Sequence, residues 1–240
     1  MSDSERWYSE RLGMASTLVR WGHYGTPVLV LPTAGGDPWE IERQGVVAAC
    51  GDLLAAGRVK LYSCDSVAGR AMIEGWGTTR QRMALLDAFH QYVRWEVVPA
   101  IRADSGADVP LVTAGASIGA FNALALLCRF PDAVASAVCM SGTYDLQPLY
   151  GGDFSDELYF SSPLHFLPGL DGPQLTQLRQ RFAVLASGEG AWENVGASWR
   201  IGEVLGAKGV PNRVDSWGPE WEHDWPTWRR MLPTYLDELA

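Results

Sequence analysis

The chain has 240 residues, a length that suits one α/β domain and is short for two. Its 28 acidic residues outnumber its 19 basic ones, and the resulting net charge of -9 would repel the phosphate backbone of a nucleic acid. We therefore expect no nucleic-acid partner. Because no apolar run reaches the roughly 18 residues that cross a bilayer, we expect no membrane role either.

Cysteine usage and the first residues of the chain favour a cytoplasmic protein. The four cysteines lie far apart without a C-x-x-C pair, and the N-terminal segment is charged where a signal peptide would be apolar. Cys64 and Cys139 fall inside apolar runs, so we interpret them as ordinary core residues. Tryptophan is frequent, and six of its 11 copies lie between Trp192 and Trp228.

Seven short apolar runs predict β-strands. The runs over residues 28–31 and 183–186 are apolar throughout, which is typical of parallel strands buried on both faces. The predicted strands are Ser16–Trp21, Pro27–Leu31, Val59–Cys64, Pro110–Ala114, Val134–Met140, Phe182–Ser187 and Asn212–Trp217.

Helical patterns alternate with these runs. Asp37 can cap a helix from Pro38 onward, and Thr78 or Thr79 can open a long helix that continues to Val97. Three more helices are predicted over Ile118–Arg129, Ser198–Ala207 and Pro226–Leu239.

This alternation predicts an α/β fold with a doubly wound, mostly parallel sheet and helices on both faces. We expect a single domain over residues 1–240, with a functional site at the carboxyl ends of the strands. Residues 146–169 hold glycine, proline and aromatic residues without a clear period, so we interpret this segment as a lid-like excursion.

Residues 115–119 read Gly-Ala-Ser-Ile-Gly, a G-x-S-x-G pattern. A predicted strand precedes the pattern and a predicted helix follows it. In that setting the serine occupies a strained elbow, and small neighbours relieve the crowding. We therefore predict that Ser117 is a nucleophile. The alternative is a glycine-rich turn with an incidental serine.

A serine hydroxyl becomes a good nucleophile only when a base removes its proton. Of the four histidines, His223 lies between the last predicted strand and the last predicted helix, at the expected end of the sheet. It also completes the chain order serine, acid, histidine. We predict that His223 is the base, against the alternative of a loop histidine without a role.

The acid that orients the base should follow the penultimate strand, where Glu189 and Glu193 compete. Glu193 lies further into the loop and has more reach toward His223. We therefore choose Glu193 as the acid, with Glu189 as the second choice.

Backbone N–H groups should stabilise the oxyanion that forms when the serine attacks a substrate carbonyl. Ile118, which follows the nucleophile, supplies one. The second should come from the small-residue loop after the early strand, with Ala34 as first choice and Gly35 as second. Trp221 and Tyr144 are candidate substrate contacts.

Four segments carry a resemblance to a known family: LPTAGG at 31–36, GASIGA at 115–120, MSGTYD at 140–145 and HDWPTW at 223–228. They resemble the putative esterase (esterase D-like) branch of the α/β-hydrolases, which includes S-formylglutathione hydrolases, enterochelin esterases and mycolyltransferases. The likeness runs from about Leu18 to Leu236. It implies the α/β-hydrolase fold and a serine carboxylic-ester hydrolase with a Ser-His-acid triad and an acyl-enzyme intermediate. The substrate would be a small-molecule or polymeric ester, with no cofactor or metal.

Two positions depart from the family's pattern. Such sequences usually place an aspartate three residues after the glycine that ends the strand, where this chain has Ala191, and Pro32-Thr33 replaces a common His-Gly pair. Because of Ala191, one alternative is a hydrolase-fold binding protein whose triad has decayed. An acyltransferase using the same acyl-enzyme is the other alternative.

Overall fold

A mostly parallel sheet organises the chain. The structure is a computed structural model that describes residues 2–106 and 111–240. Within these residues the sheet has eight strands: β1 (Asp3–Ser9), β2 (Met14–Trp21), β3 (Thr26–Leu31), β4 (Val59–Cys64), β5 (Leu111–Ala116), β6 (Val134–Met140), β7 (Phe182–Ser187) and β8 (Asn212–Ser216).

The strand order is β1-β2-β4-β3-β5-β6-β7-β8. The β1–β2 and β2–β4 pairs are antiparallel, and every later pair in that order is parallel. The carboxyl ends of β3, β5, β6 and β7 therefore meet at one edge of the sheet, next to one another, and any side chain that follows one of them lies close to the others.

Helices cover both faces of the sheet. In the described residues they are α1 (Glu40–Arg43), α2 (Val46–Ala49), α3 (Gly51–Ala55), α4 (Val67–Glu74), α5 (Thr79–Tyr92), α6 (Val98–Ser105), α7 (Ile118–Arg129), α8 (Asp156–Ser161), α9 (Pro163–Phe166), α10 (Gly172–Leu178), α11 (Val195–Ala207) and α12 (Trp225–Leu239). Residues of α4 to α11 bury one face, and residues of α1, α2, α3 and α12 bury the other. The predicted α/β architecture is confirmed.

The predicted strands are confirmed, with Pro110 lying outside the described residues. The structure adds β1, which the sequence analysis missed because a charged, largely exposed edge strand has no apolar run. Glu96 holds this strand in place, since its carboxylate accepts hydrogen bonds from the Trp7 indole at 2.9 Å and the Ser9 hydroxyl at 3.0 Å.

The helical predictions differ in detail. The helix expected from Pro38 is divided into α1, α2 and α3, because Gly45 has a φ of 75° that ends the first turn. The long helix from Thr79 continues beyond Val97 to Ser105, through a π-helical turn over Val93–Val97. Pro99 follows that turn, and the wider turn accommodates a ring that cannot donate to the helix. Helices α4 and α10 were not predicted.

The excursion over residues 146–169 contains α8, α9 and two short 3₁₀ turns. Tyr150, Leu158 and Leu167 anchor it in the core, while Phe154 and Phe160 are exposed. Its role as a lid stays a prediction. Elsewhere, Cys64 and Cys139 are fully buried, which confirms them as core residues. No helix in the described part of the chain is long and apolar enough to span a bilayer.

Candidate active site

The turn between β5 and α7 has the geometry of a strained elbow. Ser117 has a φ of 57°, a conformation that side chains rarely adopt. A Cβ at Gly115 would lie 2.3 Å from the Gly119 carbonyl carbon, and a Cβ at Gly119 would lie 2.4 Å from the Leu31 carbonyl oxygen. The turn can form only because both positions are glycine. The predicted strand-turn-helix setting is therefore present.

His223 and Glu193 lie side by side at this edge of the sheet. Nδ1 of His223 is 3.6 Å from Oε2 of Glu193, whose side chain is 0% exposed while that of His223 is 23% exposed. The His223 amide donates to the Ala191 carbonyl at 3.0 Å, and the imidazole packs edge-on against the Trp228 ring. One edge of the His223 ring therefore faces the Glu193 carboxylate, and the His223 backbone is hydrogen-bonded to the loop that carries Glu193.

Two serines, neither of them singled out from the sequence, hold the acid. Ser141 donates to Oε1 of Glu193 at 2.5 Å, and Ser187 donates to Oε2 at 3.0 Å. The Trp228 indole in turn donates to the Ser141 hydroxyl at 2.9 Å. Burial raises the pKa of Glu193, but the adjacent His223 imidazole and the hydrogen bonds from Ser141 and Ser187 hold that pKa below its usual value. The carboxylate is therefore ionised at neutral pH.

Glu189, the second choice for the acid, lies elsewhere. Its side chain accepts a hydrogen bond from the Ser216 hydroxyl at the end of β8, and the residue is exposed. It forms no ion pair with His223 in the described part of the chain. This arrangement favours Glu193.

Two loops pack backbone against backbone: the acid loop after β7 (residues 188–194), which carries Glu193, and the histidine loop after β8 (residues 217–224), which carries His223. A Cβ at Gly188 would lie 2.0 Å from the Trp221 carbonyl oxygen, and the Gly190 amide donates to that same oxygen at 2.9 Å. Glycine at residue 188 therefore lets the loop that carries Glu193 approach the loop that carries His223.

Ser117 is tied to the acid through neighbouring residues of β6. The Ser117 amide donates to the Met140 carbonyl at 3.0 Å, and the next residue, Ser141, binds Glu193. The Ser117 hydroxyl makes no hydrogen bond to another described residue. In this structure Ser117 is therefore connected to His223 through hydrogen bonds at the end of β6 and through Glu193.

The backbone N–H groups of Ile118, Ala34 and Gly35 make no hydrogen bond to any residue that the structure describes. The first begins α7, and the other two lie in the loop after β3. Gly119 packs against the Leu31 carbonyl at the end of β3, which brings the start of α7 beside that loop. The arrangement suits a pair of donors aimed at one oxygen atom.

The two candidate substrate contacts have different surroundings. Trp221 is half-buried, and its ring packs edge-on against Trp217 at 5.0 Å, so it stays a candidate. Tyr144 is only 3% exposed and lies in the core, where the missing side chain of Gly142 leaves room for its ring. This burial does not favour a contact between Tyr144 and substrate, and that contact stays a prediction. No group of three His, Cys, Asp or Glu side chains in residues 2–106 and 111–240 could hold a metal ion.

A mostly parallel sheet with helices on both faces and a serine elbow after β5 defines an α/β-hydrolase. The family described as "Putative esterase" matches residues 71–235, which is more than half of the chain. The chain belongs to this family of esterase enzymes.

Solved structures of esterases share the fold along nearly their whole length. A ferulic acid esterase matches with a TM-score of 0.78 and 14% identity, over 100% of this chain and 99% of its own. An S-formylglutathione hydrolase from Agrobacterium tumefaciens matches with a TM-score of 0.77 and 12% identity, over 99% and 94%. One from Staphylococcus aureus matches with a TM-score of 0.69 and 14% identity, over 100% and 96%. At these identities the likeness shows the fold. No curated protein matches the chain in sequence.

Proposed function

We propose that the protein hydrolyses carboxylic esters through Ser117 as nucleophile, His223 as base and Glu193 as acid. The observation that carries the proposal is the buried Glu193 carboxylate. Two serines bind it, and its Oε2 lies 3.6 Å from Nδ1 of His223, at the sheet edge where Ser117 forms the elbow. Ala191, which left a decayed triad open, precedes this carboxylate by two residues.

In the proposed mechanism His223 takes the Ser117 proton as the serine oxygen bonds to the ester carbonyl carbon. The N–H groups of Ile118 and Ala34, or Gly35 in place of the latter, stabilise the oxyanion. His223 then gives its proton to the leaving alcohol, and the C–O ester bond breaks. Water, activated by His223, hydrolyses the acyl-enzyme.

Glu193 acts through the histidine. As an acceptor at Nδ1 it selects the tautomer whose Nε2 is free to take a proton, and it stabilises the imidazolium that forms. Its low pKa suits this role, because the carboxylate stays ionised while His223 changes its charge.

The first experiment compares the wild type with Ser117→Ala, using a short-chain p-nitrophenyl ester and a fluorophosphonate probe. We expect covalent labelling at Ser117 in the wild type, and a loss of roughly 10³-fold or more in kcat for the variant. A Ser117→Ala variant with undiminished turnover would contradict the assignment.

The second experiment tests the acid. Glu193→Gln should lower kcat by about 10²- to 10⁴-fold, because the amide no longer favours the required tautomer. Glu189→Gln is the matched control and should retain wild-type turnover. The reverse ranking would move the role to Glu189.

We also propose a cytoplasmic location, supported by four buried cysteines that form no disulfide. The proposed substrate is a small-molecule or polymeric ester. A screen over acyl chain length, aryl esters and polyesters would define it.

A further inference from the structure

A second buried carboxylate lies beside the proposed oxyanion hole. Glu40, the first residue of α1, is 8% exposed. Its Oε2 accepts a hydrogen bond from the Thr33 amide at 2.8 Å, and its Oε1 accepts one from the Thr33 hydroxyl at 2.7 Å. Both oxygens thus bind one residue of the loop after β3.

Glu40 has no ion-pair partner among the described residues, although a buried carboxylate is costly without one. The pKa of Glu40 is raised above its usual value, because burial and, to a smaller extent, the nearby Asp37 carboxylate outweigh the two Thr33 hydrogen bonds and Arg43, which lower it. A neutral side chain of the same shape would avoid the cost of burying a charge. The feature of this structure that calls for a carboxylate is its pair of hydrogen bonds with Thr33.

The loop closes tightly over the carboxylate. The Gly36 amide donates to the Thr33 carbonyl at 3.0 Å, which makes residues 33–36 a turn, and a Cβ at Gly36 would lie 2.4 Å from Oε2 of Glu40. A side chain at residue 36 would overlap the Glu40 carboxylate in its present position. The turn and the carboxylate form one packed unit.

Peptide planarity then fixes where the free N–H groups point. The Thr33 carbonyl points into the turn toward Gly36, so the N–H of Ala34 on the same trans peptide points out of the turn. The Ala34 carbonyl lies against Gly69 of α4, so the Gly35 N–H points away from α4. The orientation of Thr33 therefore sets the direction of the Ala34 donor.

We propose that Glu40 is a positioning residue of the oxyanion hole: by binding both the amide and the hydroxyl of Thr33, it fixes the turn that aims the Ala34 N–H at the substrate oxygen. The inference rests on the proposed esterase function. Glu40 touches no substrate atom. Its effect appears in the transition state, because loss of one well-aimed donor lowers kcat by about 10²- to 10³-fold in a serine hydrolase and a misaimed donor by a part of that.

The test measures kcat, KM and inhibition by a trifluoromethyl ketone, whose adduct with the serine carries an oxyanion. Glu40→Ala should lower kcat by roughly 10- to 100-fold, leave KM within about twofold, and weaken the ketone by the same factor as kcat. Glu40→Gln, which keeps the shape but replaces charge-assisted hydrogen bonds with weaker neutral ones, should show a smaller loss of the same kind.

The matched control is Asp37→Asn. Asp37 is also a carboxylate beside this loop, but its oxygen accepts from the Trp39 amide and from Arg43, and not from Thr33. This variant should keep wild-type kcat and ketone inhibition. Thr33→Val removes one of the two hydrogen bonds, and the double variant Thr33→Val/Glu40→Ala should lose no more activity than Glu40→Ala alone.

An active wild type together with unchanged kcat in Glu40→Ala would overturn the positioning role alone, as would a rise in KM without a fall in kcat. If Glu40→Ala does not fold, unchanged kcat in both Glu40→Gln and Thr33→Val would overturn that role equally. A wild type without ester turnover or fluorophosphonate labelling would instead overturn the proposed function, and the positioning role with it.

Discussion

Ser141 connects three parts of the proposed site, although it takes no part in the reaction itself. Its hydroxyl donates to Glu193 and accepts from the Trp228 indole, so it links the end of β6 to the acid and to α12. Its own backbone has a φ of 50°, another strained position at this edge of the sheet. The residue holds the Glu193 carboxylate beside His223.

We expect Ser141→Ala to lower kcat roughly tenfold, since a hydrogen bond to a charged group contributes about 1.5–3 kcal/mol and part of it serves the transition state. Ser187→Ala is the comparison and should lose less, because the Ser187 hydroxyl also has the Gly188 carbonyl as an acceptor. Steady-state kinetics on purified variants checks the ranking, and equal kcat in Ser141→Ala and wild type would remove Ser141 from the site.

The raised pKa of Glu40 has a stability consequence of definite sign. Burial makes the folded state bind the Glu40 proton more tightly than the unfolded state, so this residue's contribution to stability falls as pH rises above its unfolded pKa. Glu40→Gln does not titrate. Its free energy of unfolding relative to wild type should therefore increase between about pH 4 and pH 7.

Urea unfolding at both pH values measures this difference, with Asp37→Asn as control. Although burial raises the pKa of Asp37, hydrogen bonds from Arg43 and the Trp39 amide hold it below its usual value. Asp37→Asn should therefore show no such gain over the same range. A relative stability of Glu40→Gln that falls with rising pH would contradict the assigned direction.

At the scale of loops and helices, the contact between the acid loop and the histidine loop depends on Gly188. The Cβ of Gly188→Ala would overlap the Trp221 carbonyl, so the two loops must separate and Glu193 must withdraw from His223. We expect a loss of about 1–3 kcal/mol in the free energy of unfolding and a large fall in kcat.

Gly206→Ala is the matched control for this change. It lies in α11 with open space where a Cβ would be, so alanine should stabilise the helix by about 0.5–1 kcal/mol without affecting kcat. Thermal unfolding and ester turnover on both variants separate the two effects. Wild-type turnover in Gly188→Ala would show that the loops need not be so close.

The sequence predicted elements where the signal is local. The helix start expected at Thr78 or Thr79 is confirmed with Thr78 as the N-cap, and the structure adds a capping box between Thr78 and Gln81. The G-x-S-x-G spacing also sufficed to predict the elbow, because both glycines that it requires lie within two positions of the serine. The sequence did not predict the break in the helix at Gly45 or the π-helical turn before Pro99, because hydrophobic periodicity does not indicate where a helical run is interrupted.

Across the whole molecule, two tryptophans lie in different settings. Trp225 packs edge-on against Trp228, which packs edge-on against His223. Trp7 lies in β1, an outermost strand of the sheet, where its indole donates to Glu96. Trp225→Ala should therefore lower turnover more than Trp7→Ala, whose effect should be on stability. Turnover and thermal unfolding of both variants test this, and equal turnover would mean that the tryptophans near His223 serve packing alone.

The sequence by itself determined the strands, the elbow and the order of the chemical groups, because apolar runs, glycine spacing and chain order are properties of short segments. Only the tertiary structure decided which glutamate stands beside His223, that Ser141 and Ser187 hold it, and that Glu40 binds the loop after β3. It also placed Tyr144 in the core. These outcomes depend on contacts between residues far apart in the chain, and such contacts follow from how loops pack at the sheet edge, which no local pattern encodes.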